Sequence, residues 1–248
     1  MYENESSYNT AVGFMAMEST KDGSSNVAIG WKASRLSTRG EFNIGIGAEA
    51  LFNSDNSRNT AVGFRSLYKN TADDNTAFGF KSSYSNRSGK DNISFGIESL
   101  HSSVNSDFNL AIGSQALYNN IVSDNTAIGY KASFSNLTGS NNINIGKLSS
   151  YSNMYGEGNI SVGNQALYSN DSSFNIAIGH QSLYSSNSEN NTSIGYQSML
   201  INQDGTDNIS MGNYSLYNND GSNNVAIGYK SLYNTNANNN TSLGWESG

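Results

Sequence analysis

The only imidazoles in this 248-residue sequence are His101 and His180. A pair of histidines is the least that an acid–base couple or a metal centre would draw on. The acids stand singly or in short runs, and Asp74 and Asp91 are the two that equivalent turns could bring together. Two carboxylates are a poor ligand count for calcium, and the Gly-Gly-x-Gly-x-Asp calcium pattern is missing. There is no cysteine, hence no thiolate nucleophile, disulfide or Cys-based metal site. Gly45-Ile46-Gly47 lacks the third glycine and the following helix that a nucleotide-binding turn needs. Asn-x-Ser/Thr triplets such as Asn136-Leu137-Thr138 follow from the Asn and Ser content alone. Tyr68, Tyr84, Tyr118, Tyr151, Tyr168, Tyr184, Tyr217 and Tyr233 recur at a regular spacing. They read as an aromatic ladder, with a glycan-binding edge as the functional alternative.

Whether any of these residues can meet depends on the elements that carry them, and those elements repeat. A glycine after an apolar residue recurs at Gly13, Gly30, Gly47, Gly63, Gly79, Gly96, Gly113, Gly129, Gly146, Gly163, Gly179, Gly195, Gly212, Gly228 and Gly244, at intervals of 16 or 17 residues. Four positions before each stands an asparagine: Asn9, Asn26, Asn43, Asn59, Asn75, Asn92, Asn109, Asn125, Asn142, Asn159, Asn175, Asn191, Asn208, Asn224 and Asn240. Between the two lies a β-branched residue, a small residue and a large apolar residue, as in Thr126-Ala127-Ile128-Gly129. This is strand chemistry with a period of two. After the glycine come Ala or Ser and, in many copies, Leu and an aromatic, as in Ala116-Leu117-Tyr118, where a second short strand is expected. Polar turn residues fill the rest. No segment has a helical stripe with caps.

The expected fold is therefore all-β: a parallel β-roll or β-solenoid of fifteen coils, two short strands and two turns in each. Stacked asparagines would bond their own turns and ladder from coil to coil. The glycine marks a bend or a close backbone approach. The histidines then lie five coils apart, roughly 24 Å at an inter-strand spacing of about 4.8 Å, too far to share a site within one chain. His180 occupies a variable position after Gly179 and reads as a surface residue. Small residues (Ala11, Ala61, Ala177) line one face of the first strand and Val12, Ile29 and Ile178 the other. If the small face closes inside a thin roll, the large face has no cover from its own chain and must find it in a partner. Ile112, Ile128, Ile145 and Ile178 are the expected seam with that partner. Phe42, Phe108 and Phe174 recur every 66 residues, or four coils, the mark of a duplicated block.

A net charge of −7 with no Lys/Arg cluster excludes a nucleic-acid partner. The longest apolar runs, such as Met199-Leu200-Ile201, are too short to span a bilayer, so no membrane insertion is expected. Residues 1–248 read as one repetitive solenoid segment of something longer, without a leader, an anchor or a cofactor.

The Asn-Thr-Ala-Ile-Gly-Tyr pattern and its variants (Asn26 to Gly30, Asn224 to Gly228) resemble the head repeats of YadA-like trimeric autotransporter adhesins. The longer form from Gln165 to Asn170 is similar to repeats of phage-type tail fibres. The resemblance covers essentially the whole chain. It implies a left-handed parallel roll assembled as a homotrimer, with Ile112, Ile128, Ile145 and Ile178 as the trimer seam and a threefold ion site as the alternative for His180. It also makes residues 1–248 a shaft segment of a longer extracellular fibre, on a virion or as a cell-surface appendage, serving adhesion or host attachment through a receptor or surface glycan. The coil is longer than the adhesin unit, and no coiled-coil stalk or C-terminal chaperone domain is present. An ice- or glycan-binding solenoid is the alternative. Its ice-binding form is weakened because Thr10, Thr60, Thr76, Thr126, Thr192 and Thr241 are interrupted by Ile and Val. A third reading, a polysaccharide-cleaving enzyme, would need an insertion with clustered acids, and none breaks the repeat; the chain is expected not to be an enzyme.

Overall fold

A computed structural model describes residues 6–248 of the chain. The described residues contain strands and turns and no helix. The chain forms a parallel β-solenoid of about fifteen turns, falling into two compact units, one ending at Ser123 and the other spanning Asp124–Gly248.

The first unit carries seven three-residue strands: β1 (Thr10–Val12), β2 (Val27–Ile29), β3 (Ile44–Ile46), β4 (Thr60–Val62), β5 (Thr76–Phe78), β6 (Ile93–Phe95) and β7 (Leu110–Ile112). Each pairs in parallel with the next, and equivalent residues stand opposite one another, as in Thr10↔Val27, Ala11↔Ala28 and Val12↔Ile29. Every side chain therefore sits on its counterpart in the next coil. Donors alternate in direction: the Val27 N–H donates to the Asn43 carbonyl of the following coil at 2.8 Å, and the Gly47 N–H to the Ile29 carbonyl of the preceding one at 2.7 Å.

The second unit repeats this with β8 (Thr126–Ile128), β9 (Ile143–Ile145), β10 (Ile160–Val162), β12 (Ile176–Ile178), β14 (Thr192–Ile194), β16 (Ile209–Met211), β18 (Val225–Ile227) and β20 (Thr241–Leu243). A second parallel sheet appears only here, from the two-residue strands β11 (Ser169–Asn170), β13 (Ser185–Ser186), β15 (Ile201–Asn202), β17 (Asn218–Asn219) and β19 (Asn234–Thr235).

These short strands do not lie where a second strand was expected. The Ala-Leu-Tyr segment is a turn, and the strands, where present, follow the aromatic residue or, at Ile201, Leu200 in its place. Backbone conformation is the reason: Gln115 and Leu117 are left-handed (φ 58° and 50°) on either side of Ala116, and the Ala116 N–H closes back on the Gly113 carbonyl at 3.2 Å. The same pair of left-handed positions recurs at Gln181 and Leu183. Left-handed backbone at a Leu or Gln is unfavourable. Burial of the leucines offsets it, since Leu51, Leu67, Leu117, Leu167, Leu183 and Leu216 are fully buried.

The core is thin. From β2 onward the middle residue of each three-residue strand is buried and points inward toward the Ala or Ser after the glycine, as with Ala127 and Ala132, both buried. Where serines replace alanines, the interior becomes a hydroxyl network: Ser82 Oγ lies 2.7 Å from Ser94 Oγ and 3.0 Å from Ser99 Oγ. The repeat glycines have φ near 130–140°, a region closed to other residues. A Cβ on Gly179 would lie 2.4 Å from the Gly195 carbonyl oxygen of the next coil. One glycine thus serves both the corner and the close approach of neighbouring coils.

Candidate partner-binding face and its supporting ladders

The asparagine column is the rail that holds each strand at its height. The Asn43 N–H donates to Asn26 Oδ1 at 2.8 Å, and the Asn26 Nδ2 donates to the Gly40 carbonyl at 2.7 Å. The link recurs at Asn59 to Asn43, Asn75 to Asn59, Asn92 to Asn75 and Asn109 to Asn92 in the first unit. In the second unit it runs from Asn142 on Asn125 to Asn240 on Asn224. Asn9 anchors Asn26 in the same way. Direct amide-to-amide bonds are fewer, as between Asn92 Nδ2 and Asn75 Oδ1 at 3.1 Å. The rail is thus mainly side chain to backbone, and the left-handed residue of the turn is the one before the asparagine (Asp74, Phe108, Asn190), not the asparagine itself.

A second buried polar column stands seven residues after each glycine: Asn70, Asn86, Ser103, Asn136, Asn153, Ser186, Asn202 and Asn219 are among its members. Asn86 donates to Asn70 Oδ1 at 2.9 Å and to the Gly89 carbonyl at 2.9 Å, and accepts the Gly89 N–H at 3.1 Å. Sequence reasoning took this column for loop filling. Its signal was present, because the position is Asn, Ser or Thr in every coil that contains it.

With one end of each coil pinned by amides, the strand's large side chains are turned outward. In the first unit Ile112, and in the second Ile145 and Ile178, are 39%, 37% and 38% exposed, and Ile128 is half-buried. The residues three before the glycine lie on the same side, and Ile44, Ile93, Ile143 and Ile209 are exposed as well. Each unit therefore shows water a flat, ribbed apolar strip that repeats with the coil.

The tyrosine column is a set of ring stacks. In the first unit Phe52, Tyr68, Tyr84, His101 and Tyr118 follow one another at centroid distances of 5.0, 5.3, 5.4 and 4.9 Å. In the second, Phe134, Tyr151, Tyr168 and Tyr184 stack at 5.3, 5.3 and 4.9 Å. His101 thus belongs to this column, a membership the sequence reading overlooked. Burial holds its imidazole below the ordinary histidine range; Glu98 opposes that shift, while Lys81 and Lys69 add to it. Ring faces cover one another along each stack, so what points outward is edges and phenol groups.

His180 is exposed and stacks on Tyr196 at 5.5 Å. Asp74 turns to Arg58, whose guanidinium donates to it at 2.5 and 2.8 Å, instead of pairing with Asp91. The hydrogen bond from Arg58 holds the Asp74 carboxyl below its usual range. Among the described residues no three His, Cys, Asp or Glu side chains group as a metal site would require. The described residues include no helix long and apolar enough to cross a membrane. The Gln165, Gln181 and Gln197 amides form a further ladder at 3.0 and 2.7 Å.

No family model, curated protein or solved structure matches the chain.

Proposed function

We propose that this chain is a structural length of a homotrimeric fibre, left-handed in its coiling, extracellular, and serving adhesion or host attachment from a virion or a cell surface. One observation carries the reading: the apolar strip that each unit leaves open, at Ile112 and its equivalents in the first and at Ile128, Ile145 and Ile178 in the second. Apolar surface in so regular an array is costly in water and marks an interaction site. Its repeat selects the occupant. A surface that rises by one coil, about 4.8 Å, is matched along its whole length only by a surface of the same rise, and another copy of this chain has that rise by construction. The resemblance to trimeric adhesin and tail-fibre repeats supports three copies, and with them the attachment role and the place outside the cell. In this reading the chain is a scaffold and carries no catalysis.

Ile128→Asp tests it. Three carboxylates at one level of a dry seam repel one another and lose their hydration, both of which disfavour the charged form. The variant is expected to sediment as a monomer at neutral pH and to recover part of the trimer in acid, where the carboxyls are protonated. Tyr155→Asp, on an exposed turn, is the control and should leave assembly unchanged. A parent chain that sediments as a monomer would overturn the reading.

A further inference from the structure

A stack of near-identical coils offers a partner copy many nearly equivalent alignments. Sliding one chain by a coil exchanges Ile for Ile or Val over most of the seam, so the apolar pattern alone specifies register weakly. The first unit contains one interruption. Its seam column runs Val12, Ile29, Ile46 and Val62, then Phe78 and Phe95, then Ile112. Phe78 and Phe95 stack face to face, with centroids 4.6 Å apart and planes within 6°, so each offers its edge outward. Beside them Phe64 and Phe80, each just after a repeat glycine, stack at 5.4 Å and are exposed. The remaining thirteen seam positions of the chain hold Val, Ile, Leu or Met. The coil's own fold therefore does not require a ring there.

Resting on the assembly reading above, we propose that the Phe78–Phe95 pair is the register key of the fibre, its ligand being the same pair in the other copies. The pair fills two successive levels of the seam. At zero offset, rings meet rings at both levels and can adopt the edge-to-face contacts that aromatic quadrupoles favour. A one-coil slip keeps one level of rings, and a two-coil slip keeps none. Each Phe then faces an aliphatic of smaller volume, overpacking one level and leaving a void at another. Aliphatic coils supply the adhesion between chains, and the aromatic pair selects the alignment.

The chain has no cysteine, so introduced thiols report alignment without background. A disulfide needs Cα atoms within about 7 Å, and two coils are roughly 9.6 Å apart along the stack. Ile46→Cys chains report contacts aligned to within one coil. A co-expressed mixture of differently tagged Ile29→Cys and Val62→Cys chains reports a two-coil offset. In the parent background the aligned disulfide should form and the mixed one should not. In a Phe78→Ile/Phe95→Ile background the sedimenting species should remain a trimer, while the ratio of offset to aligned disulfides rises several-fold. Ile is the commonest seam residue, so this variant keeps the coil's fold. A variant trimer that still forms only the aligned disulfide, or a parent trimer that already forms the offset one, would overturn the key and leave the assembly standing. A parent chain that sediments as a monomer would overturn both.

Discussion

Asn159 takes the Asn175 N–H on its Oδ1 at 2.8 Å and gives its Nδ2 to the Ser172 carbonyl at 2.9 Å, and it is fully buried. Replacing it with Ala strands a buried donor and a carbonyl, each worth about 1–3 kcal/mol when unpaired. Asn159→Ala should therefore lower the unfolding midpoint in urea by an amount equivalent to about 3 kcal/mol, with little change in slope. His101 offers a second test. Its folded-state pKa lies below the ordinary value of about 6.5 because burial between Tyr84 and Tyr118 disfavours the imidazolium. The unfolded chain then binds the proton more readily than the folded one. Stability from this group is fully present above about pH 6.5 and falls as pH drops from there toward the lower folded-state value. Thermal melts of the parent should lose stability across that interval. His101→Phe, which keeps the stack without the charge, should flatten the loss, and an unchanged slope would remove His101 as its source.

At the scale of the coil, the first strand was legible because Val-Ala-Ile-Gly alternates large and small, and the structure places every such triplet in the parallel sheet. The outward Ile and inward Ala were legible for the same reason. The Ala-Leu-Tyr segment was not. Its residue types suit an extended chain, and the left-handed turns at Gln181 and Leu183 come from interlocking with neighbouring coils, which local propensity does not encode. The conserved spacing of the asparagines showed that a ladder was there. It did not show that the bonds run chiefly from backbone N–H to side-chain oxygen, nor that the preceding residue takes the left-handed turn. The corner itself can be tested at Gly179. With φ at 132° and the Gly195 carbonyl oxygen 2.4 Å from any added Cβ, Gly179→Ala has neither the conformation nor the space. It should cost more than about 4 kcal/mol, the range reached when strain and overpacking combine. The expected outcome is a variant that fails to give the parent circular dichroism spectrum; a folded variant of parent stability would contradict the interlock.

On the scale of the whole molecule, each coil contacts chiefly its neighbours, so stability is close to a sum over coils and their interfaces. Removing one complete coil from the second unit, Gly163–Ile178, joins Val162 to Gly179 and keeps every column in phase. That deletion should melt cooperatively with an unchanged strand signal per residue. Removing half a coil, Gly163–Asn170, throws the columns out of phase and should abolish folding. The alternating direction of the strand N–H groups has a mechanical consequence as well. Because the Gly47 N–H reaches back to the Ile29 carbonyl and the Val27 N–H reaches forward to the Asn43 carbonyl, the hydrogen bonds lie along the stacking direction. A pull on the end of the stack peels the bonds of the terminal coil one after another, while each deeper coil shares the same load among all of its bonds. Each release frees 16 or 17 residues, roughly 50 Å of extended chain at about 3.3 Å per residue. A stack built this way yields in nearly equal steps, coil by coil, and dissipates a sudden tug while the remaining coils keep their grip.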